Sequence, residues 1–169
     1  MKTLFVLRHA KSSWENPDVA DYDRQLNEQG LKTTPIMGDT MFRNQFQPAM
    51  IISSPARRAK QTAVLIKEAA QIECAITYDE RIYEASPHRL LEVISELDEN
   101  KESAMLVGHN PGLEGLIKIL TGEIQSMSTA ALAVIDLDKE NWNEVTAESG
   151  QLRAVFSPKD DLKSLSSAP

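Results

Sequence analysis

The chain has 169 residues, of which 41% are apolar, 25% charged and only 5% aromatic. This length fits one domain, and the mix excludes a disordered, collagen-like or membrane-spanning chain; with so few rings, aliphatic side chains must build the core. A net charge of −7 argues against nucleic-acid binding, which needs a basic surface, but leaves room for a local basic pocket that takes an anion.

Leu4-Phe5-Val6-Leu7 reads as a short buried strand. Four apolar residues are too few for a secretion signal, and no stretch reaches the ~20 of a transmembrane helix. A cytoplasmic location without membrane contact is therefore expected. Lys11 to Asp23 is polar and turn-prone, a loop directly after a strand, where α/β folds place their chemistry. The spacing of Asp18, Asp21 and Asp23 does not fit a calcium loop, so they read as solvated carboxylates. A helix is expected from Leu26 to Phe46, with Asn27 as N-cap and Leu31, Met37, Met41 and Phe42 as its apolar stripe. Pro35 inside it predicts a kink or a late start.

Met50-Ile51-Ile52 is the next strand, and a helix follows from Ala56 to Ala70, with Ala59, Ala63, Ile66 and Ala70 at helical spacing. Ala75 to Tyr78 is a weaker strand. The single cysteine, Cys74, allows no intrachain disulfide and no thiolate zinc site, and reads as a plain buried thiol. Ser86-Pro87 opens an amphipathic helix carrying Leu90, Leu91, Ile94 and Leu97. Ala104 to Val107 is a buried strand running into Gly108-His109-Asn110-Pro111-Gly112, followed by a helix with Leu113, Leu116, Ile117 and Leu120. Ala131–Leu137 and Leu152–Phe156 read as two further strands around an exposed turn near Glu140-Asn141. Strands alternating with helices predict an α/β fold, a three-layer α/β/α sandwich with a mostly parallel central sheet. One domain is expected over residues 1–157, with a flexible tail over 158–169.

Three strand ends carry the chemistry. The first ends in Arg8-His9, the second in Ser53-Ser54 with Arg57 and Arg58 just beyond, the third in Gly108-His109. In a parallel sheet these ends share one rim. Arginine offers a planar fork of donors for phosphate oxygens, and histidine, with a reference pKa of roughly 6.5, serves as a neutral nucleophile or a cationic stabiliser. Walker A, His-Glu-x-x-His and Gly-x-Ser-x-Gly patterns are absent.

Leu7-Arg8-His9-Ala10-Lys11-Ser12 resembles the Arg-His-Gly signature of the histidine phosphatase, or phosphoglycerate mutase-like, superfamily. Ser54-Pro55-Ala56-Arg57-Arg58-Ala59-Lys60-Gln61-Thr62 is similar to its Ser-x-x-x-Arg-Ala-x-Gln-Thr segment, and Val107-Gly108-His109-Asn110 to its second-histidine motif. In size and motif style the chain most resembles the SixA group of phosphohistidine phosphatases. The resemblance implies a phosphoglycerate mutase-like fold and a phosphatase without cofactor or metal. His9 would be the nucleophile, Arg8 and Arg58 phosphate ligands, and His109 a donor to the same group. Glu84, in Ile82-Tyr83-Glu84, would be the general acid/base, with Glu80 as competitor. Lys11, Ser12, Arg57 and Asn110 would line the substrate side. Alanine stands at position 10 where the family often has glycine. The short chain leaves little sequence for a lid. An open pocket suits phosphohistidine on a phosphotransfer or phosphotransferase-system protein, with small phosphoesters as the alternative and a non-catalytic phosphate-binding module as a weaker one.

Overall fold

The computed structural model describes residues 1–158. Beyond Pro158, the expected tail lies outside the described residues. Six strands, β1 (Lys2–Arg8), β2 (Ile51–Ser53), β3 (Ile76–Tyr78), β4 (Ser103–Gly108), β5 (Leu132–Leu137) and β6 (Gly150–Phe156), form one sheet in the order β3-β2-β4-β1-β5-β6. β3, β2, β4 and β1 are parallel; β5 runs antiparallel to β1, and β6 antiparallel to β5. The helices are α1 (Glu28–Arg43), α2 (Arg57–Ala70), α3 (Pro87–Ser95) and α4 (Gly112–Thr121). None of them is long and apolar enough to cross a membrane.

Alternation along β1 shows why there are three layers. Leu4 and Val6 point into a core with Leu90, Ile94, Leu116 and Ile117 of α3 and α4. Phe5 and Leu7 point the other way, into a core with Met37, Met41, Ala63 and Ile66 of α1 and α2. A strand buried on both faces reads as a continuous apolar run, which is how Leu4–Leu7 appears in the sequence.

α1 departs from its sequence pattern. It begins at Glu28, where Asn27 Oδ1 accepts from Gly30 N at 2.8 Å, and it does not start late at Pro35, which lies inside it. Proline removes the donor that Leu31 C=O would otherwise meet. The Thr34 hydroxyl donates to that carbonyl instead, at 3.4 Å. Leu31 and Phe42, expected in the buried stripe, are 50% and 47% exposed. The buried face is instead Gly30, Thr33, Thr34, Met37, Gly38, Thr40 and Met41, because α1 lies so close to α2 that small residues must fill the seam. A Cβ on Gly38 would sit 2.3 Å from Ala69 Cβ. Gly38→Ala is therefore expected to destabilise the protein by about 1–3 kcal/mol through overpacking, although alanine gains up to about 1 kcal/mol in helix propensity. Chemical denaturation measures this; a more stable variant would refute the close seam. Cys74 also differs from expectation: it lies in a bend before the edge strand β3 and is half-buried, with burial raising its thiol pKa.

The register of the sheet builds the site. Arg8 pairs with Gly108 across β1 and β4, and Ser53 with Val107 across β2 and β4. His9, Ser54 and His109 are thus the first residues beyond three adjacent strands, held by His9 N–H to Gly108 C=O at 3.1 Å and Ser54 N–H to Val107 C=O at 2.9 Å.

Candidate active site

His9 and His109 meet with ring centroids 5.1 Å apart. His9 Nδ1 lies 2.7 Å from the Ala10 carbonyl. A carbonyl only accepts, so Nδ1 carries the proton. Among the described residues Nε2 has no hydrogen-bond partner, and in this tautomer it bears the lone pair of the neutral ring. Thr62 locks this turn to α2: its hydroxyl accepts from Ala10 N–H at 3.0 Å and donates to Arg58 C=O at 2.7 Å. Gln61 Oε1 accepts from Leu26 N–H at 2.7 Å. Gly30 lets α1 approach the same turn, where a Cβ would lie 2.2 Å from the Lys11 carbonyl oxygen.

His109 Nε2 is 2.8 Å from Ser54 Oγ, which also accepts from Ala56 N–H at 3.2 Å. Tyr83 packs edge-on against the His109 ring at 5.7 Å. Burial, reinforced by Arg58, Arg8 and Arg24, lowers the His9 pKa to about 4. Burial, then His9 and Arg58, lowers that of His109 to about 3, against a raising effect of Asp21. Both rings are neutral at neutral pH. The unfolded chain, with histidine near its reference pKa of about 6.5, then binds more protons than the folded one between that value and the lowered ones, so stability rises with pH through this window. Going down from about pH 6.5, each ring is expected to remove up to about 1.4 kcal/mol per pH unit, His9 to near pH 4 and His109 to near pH 3. Urea denaturation across this range should show the slope, and a His9→Gln/His109→Gln double variant should flatten it. An unchanged slope would mean that these rings are not the groups responsible.

Three guanidinium groups surround the pair. Arg8 NH1 donates to Met127 C=O at 3.0 Å. Buried Arg58 donates to Asp21 C=O at 2.7 Å and to Asp21 Oδ2 at 3.1 Å. Arg24 donates to Asp21 Oδ1 at 2.8 Å, to Ser13 C=O at 3.0 Å and to Ser12 Oγ, and its guanidinium carbon lies 3.2 Å from the Trp14 ring centroid. Asp21 also accepts from the Tyr83 hydroxyl at 2.6 Å. That bond first, then Arg58 and Arg24, hold its carboxyl at about 2 against the opposing effect of burial. Asp21 is thus a clamp between two arginines and a tyrosine, where the sequence suggested a solvated loop carboxylate.

Among the described residues, the buried side-chain N and O atoms without a partner are Arg8 Nε, His109 Nδ1 and Asn110 Oδ1. Buried polar groups are nearly always paired, yet the exceptions fall at one rim. When Ser54 donates to His109 Nε2, Nδ1 carries the proton, so two of the three atoms are donors that an oxyanion would satisfy. The cleft here has a volume of about 280 Å³ and is lined by Arg8, His9, Lys11, Ser12, Trp14, Arg24, Arg58 and Thr129. No cluster of His, Cys, Asp or Glu among the described residues could hold a metal ion.

Of the residues picked from sequence, Arg8, His9, Arg58, Lys11 and Ser12 line this cleft, and His109 adjoins it through His9. Lys11 is exposed; Ser12 is buried on Arg24. Arg57 is exposed and lines a neighbouring cleft of about 460 Å³ that shares Arg24. Asn110 spends its amide N–H groups on Glu114 and Met127. Glu84 is exposed, with φ 52°, and makes no hydrogen bond to either ring; Glu80 accepts from Tyr22 OH at 3.1 Å. Sequence reasoning missed Arg24, Asp21, Tyr83 and Thr129 as parts of the site. The available signal was Arg24 itself, a basic residue that directly follows the acidic run Asp18, Asp21 and Asp23.

The sequence model of the histidine phosphatase superfamily (branch 1) matches residues 4–89. An uncharacterized protein of Mycobacterium leprae is 28% identical over 166 residues, covering 90% of this chain and 100% of its own. A protein of Agrobacterium tumefaciens, provisionally assigned as the phosphohistidine phosphatase SixA, has a crystal structure similar to this one, with a TM-score of 0.81 and 30% identity over 93% of this chain and 98% of that chain. The protein histidine phosphatase SixA in complex with tungstate shares the fold, with a TM-score of 0.82 and 19% identity over 94% and 98% of the two chains.

Proposed function

The chain belongs to branch 1 of the histidine phosphatase superfamily, and on that premise we propose that this phosphatase removes phosphate from phosphohistidine on a protein, through a phosphohistidine intermediate at His9. The observation that carries the reading is His9 Nε2, without a partner among the described residues, beside the unpaired polar atoms Arg8 Nε and His109 Nδ1. In the first step His9 Nε2 attacks phosphorus in line and forms a new N–P bond. The bond to the substrate imidazole breaks, and that ring leaves with the electron pair and takes up a proton. Arg8, Arg58 and Arg24, with the Nδ1 proton of His109, stabilise the charge on the equatorial oxygens. Water then hydrolyses the enzyme's phosphohistidine and restores His9.

An imidazole leaves more readily than an alkoxide, so this substrate makes little demand on a general acid. The exposed position of Glu84, the candidate acid, suits that demand. The cleft walls come from the end of β1 and the loop after it, from Arg58 on α2 and from the loop before β5, and Trp14, one of the lining residues, is exposed. Such an opening is compatible with a phosphorylated side chain presented by a folded partner. The similarity to the Agrobacterium protein supports the same substrate class.

The test compares turnover of a histidine-phosphorylated phosphotransfer protein with that of a small aryl phosphate, with and without EDTA. The phosphoprotein is expected to be turned over at least ~100-fold faster in kcat/KM, unaffected by EDTA, a ratio of about 3 kcal/mol in transition-state binding. Turnover of the ester alone would transfer the mechanism to small phosphomonoesters. Phosphate binding without turnover of either would make the domain a binding module.

A further inference from the structure

One of the points that fasten the loop before β5, Met127, also holds the Arg8 side chain. Arg8 NH1 donates to Met127 C=O at 3.0 Å, and Asn110 Nδ2 donates to the same carbonyl at 2.9 Å. Met127 N–H donates to Glu114 Oε1 at 2.8 Å, and Asn110 Nδ2 donates to Glu114 Oε1 at 3.0 Å. One carboxylate oxygen on α4 therefore fixes both the peptide N–H of Met127 and the amide that steadies its carbonyl. The Met127 side chain, 2% exposed, anchors the same residue in the core.

Arg8 is half-buried and forms no salt bridge within 4 Å among the described residues, unlike Arg24 and Arg58, which share Asp21. Among the described residues, the only hydrogen bond of its guanidinium is the one to Met127 C=O. Burial works against the Arg8 charge, and the Glu114 carboxylate works for it. A guanidinium held by one bond points wherever that acceptor is placed, so the acceptor's own support sets the direction of the orphaned Nε. We infer that Glu114 is a positioning residue for Arg8, acting through Asn110 and the Met127 peptide to aim the guanidinium at the bound oxyanion. The inference rests on the reading that Arg8 is a phosphate ligand.

Three substitutions separate geometry from charge. Glu114→Gln keeps an amide oxygen at the same reach and loses the charge. Glu114→Asp keeps the charge and retracts the oxygen by one methylene. Glu114→Ala loses both. The readout is the dissociation constant for inorganic phosphate by titration calorimetry, with thermal unfolding as a check on folding. The Asp and Ala variants are expected to bind phosphate about 10-fold more weakly, and the Gln variant within about 3-fold of wild type. In an Arg8→Ala background, Glu114→Asp is expected to change nothing further, since interacting residues are non-additive. Wild-type affinity in Glu114→Asp, an equal loss in both backgrounds, or a loss in Gln but not in Asp would each overturn the inference. If Arg8→Ala alone leaves phosphate binding intact, the reading of Arg8 as a ligand fails instead.

Discussion

Alanine in place of His9 is expected to lower turnover of every substrate by about 10⁴-fold or more and to abolish the acid-labile phosphoryl label on the protein. Losses of this order follow when a covalent nucleophile is removed and only binding and charge stabilisation remain. The variant should still fold, because the backbone bonds that frame the site, His9 N–H to Gly108 and Ala130 N–H to His9 C=O, do not involve the ring. It should also still bind phosphate, because Arg8, Arg24 and Arg58 all survive the substitution. Rapid quench with radiolabelled phosphoprotein, alongside calorimetric phosphate binding, separates the two expectations. A His9→Ala protein that turns over at more than a hundredth of the wild-type rate would place the chemistry on another residue or on water.

His9 was legible because its position is local: Arg-His follows an apolar run, and a short buried strand must end where the charge begins. His109 was legible for the same reason, since it follows a strand of the same parallel set, and parallel strands gather their carboxyl ends. The strand end left Arg57 and Arg58 open, and only the resemblance of residues 54–62 to the family segment singled out Arg58. α1 shows where local pattern loses. Its large apolar residues Leu31 and Phe42 are exposed while glycines and threonines are buried, because the distance to α2 is set by the tertiary seam and not by the helix. Asp21 shows the same limit for charge. Nothing in Asp-Tyr-Asp-Arg distinguishes a solvated carboxylate from one held by partners 37 and 62 positions away. Glu114 is hidden for a related reason, since its partner is a backbone amide in the next loop. Long-range hydrogen bonds carry no periodicity, so pattern reading passes over them.

Arg58 is where that long-range network has its largest expected consequence. Arg58→Ala is expected to reduce kcat/KM by about 10²–10³-fold, the range for removing one preorganised donor from developing charge. Arg58→Lys should recover little of it. A guanidinium can direct two N–H groups to Asp21 C=O and Oδ2 and still present others to the phosphoryl oxygens, whereas an ammonium has three donors radiating from one atom. Lysine must therefore release either Asp21 or the substrate. The prediction also has a direction for the clamp. If Asp21 acts by holding Arg58, Asp21→Asn should cost activity in the wild-type background and much less once Arg58 is alanine. If instead Asp21→Asn costs the same in both backgrounds, the clamp works through Arg24 and Tyr83, its two other side-chain partners. Steady-state kinetics on the four proteins decides this, with KM and kcat resolved. A loss confined to KM would show that Arg58 binds ground state and transition state alike, and a loss in kcat that it tightens on the phosphoryl group as it transfers.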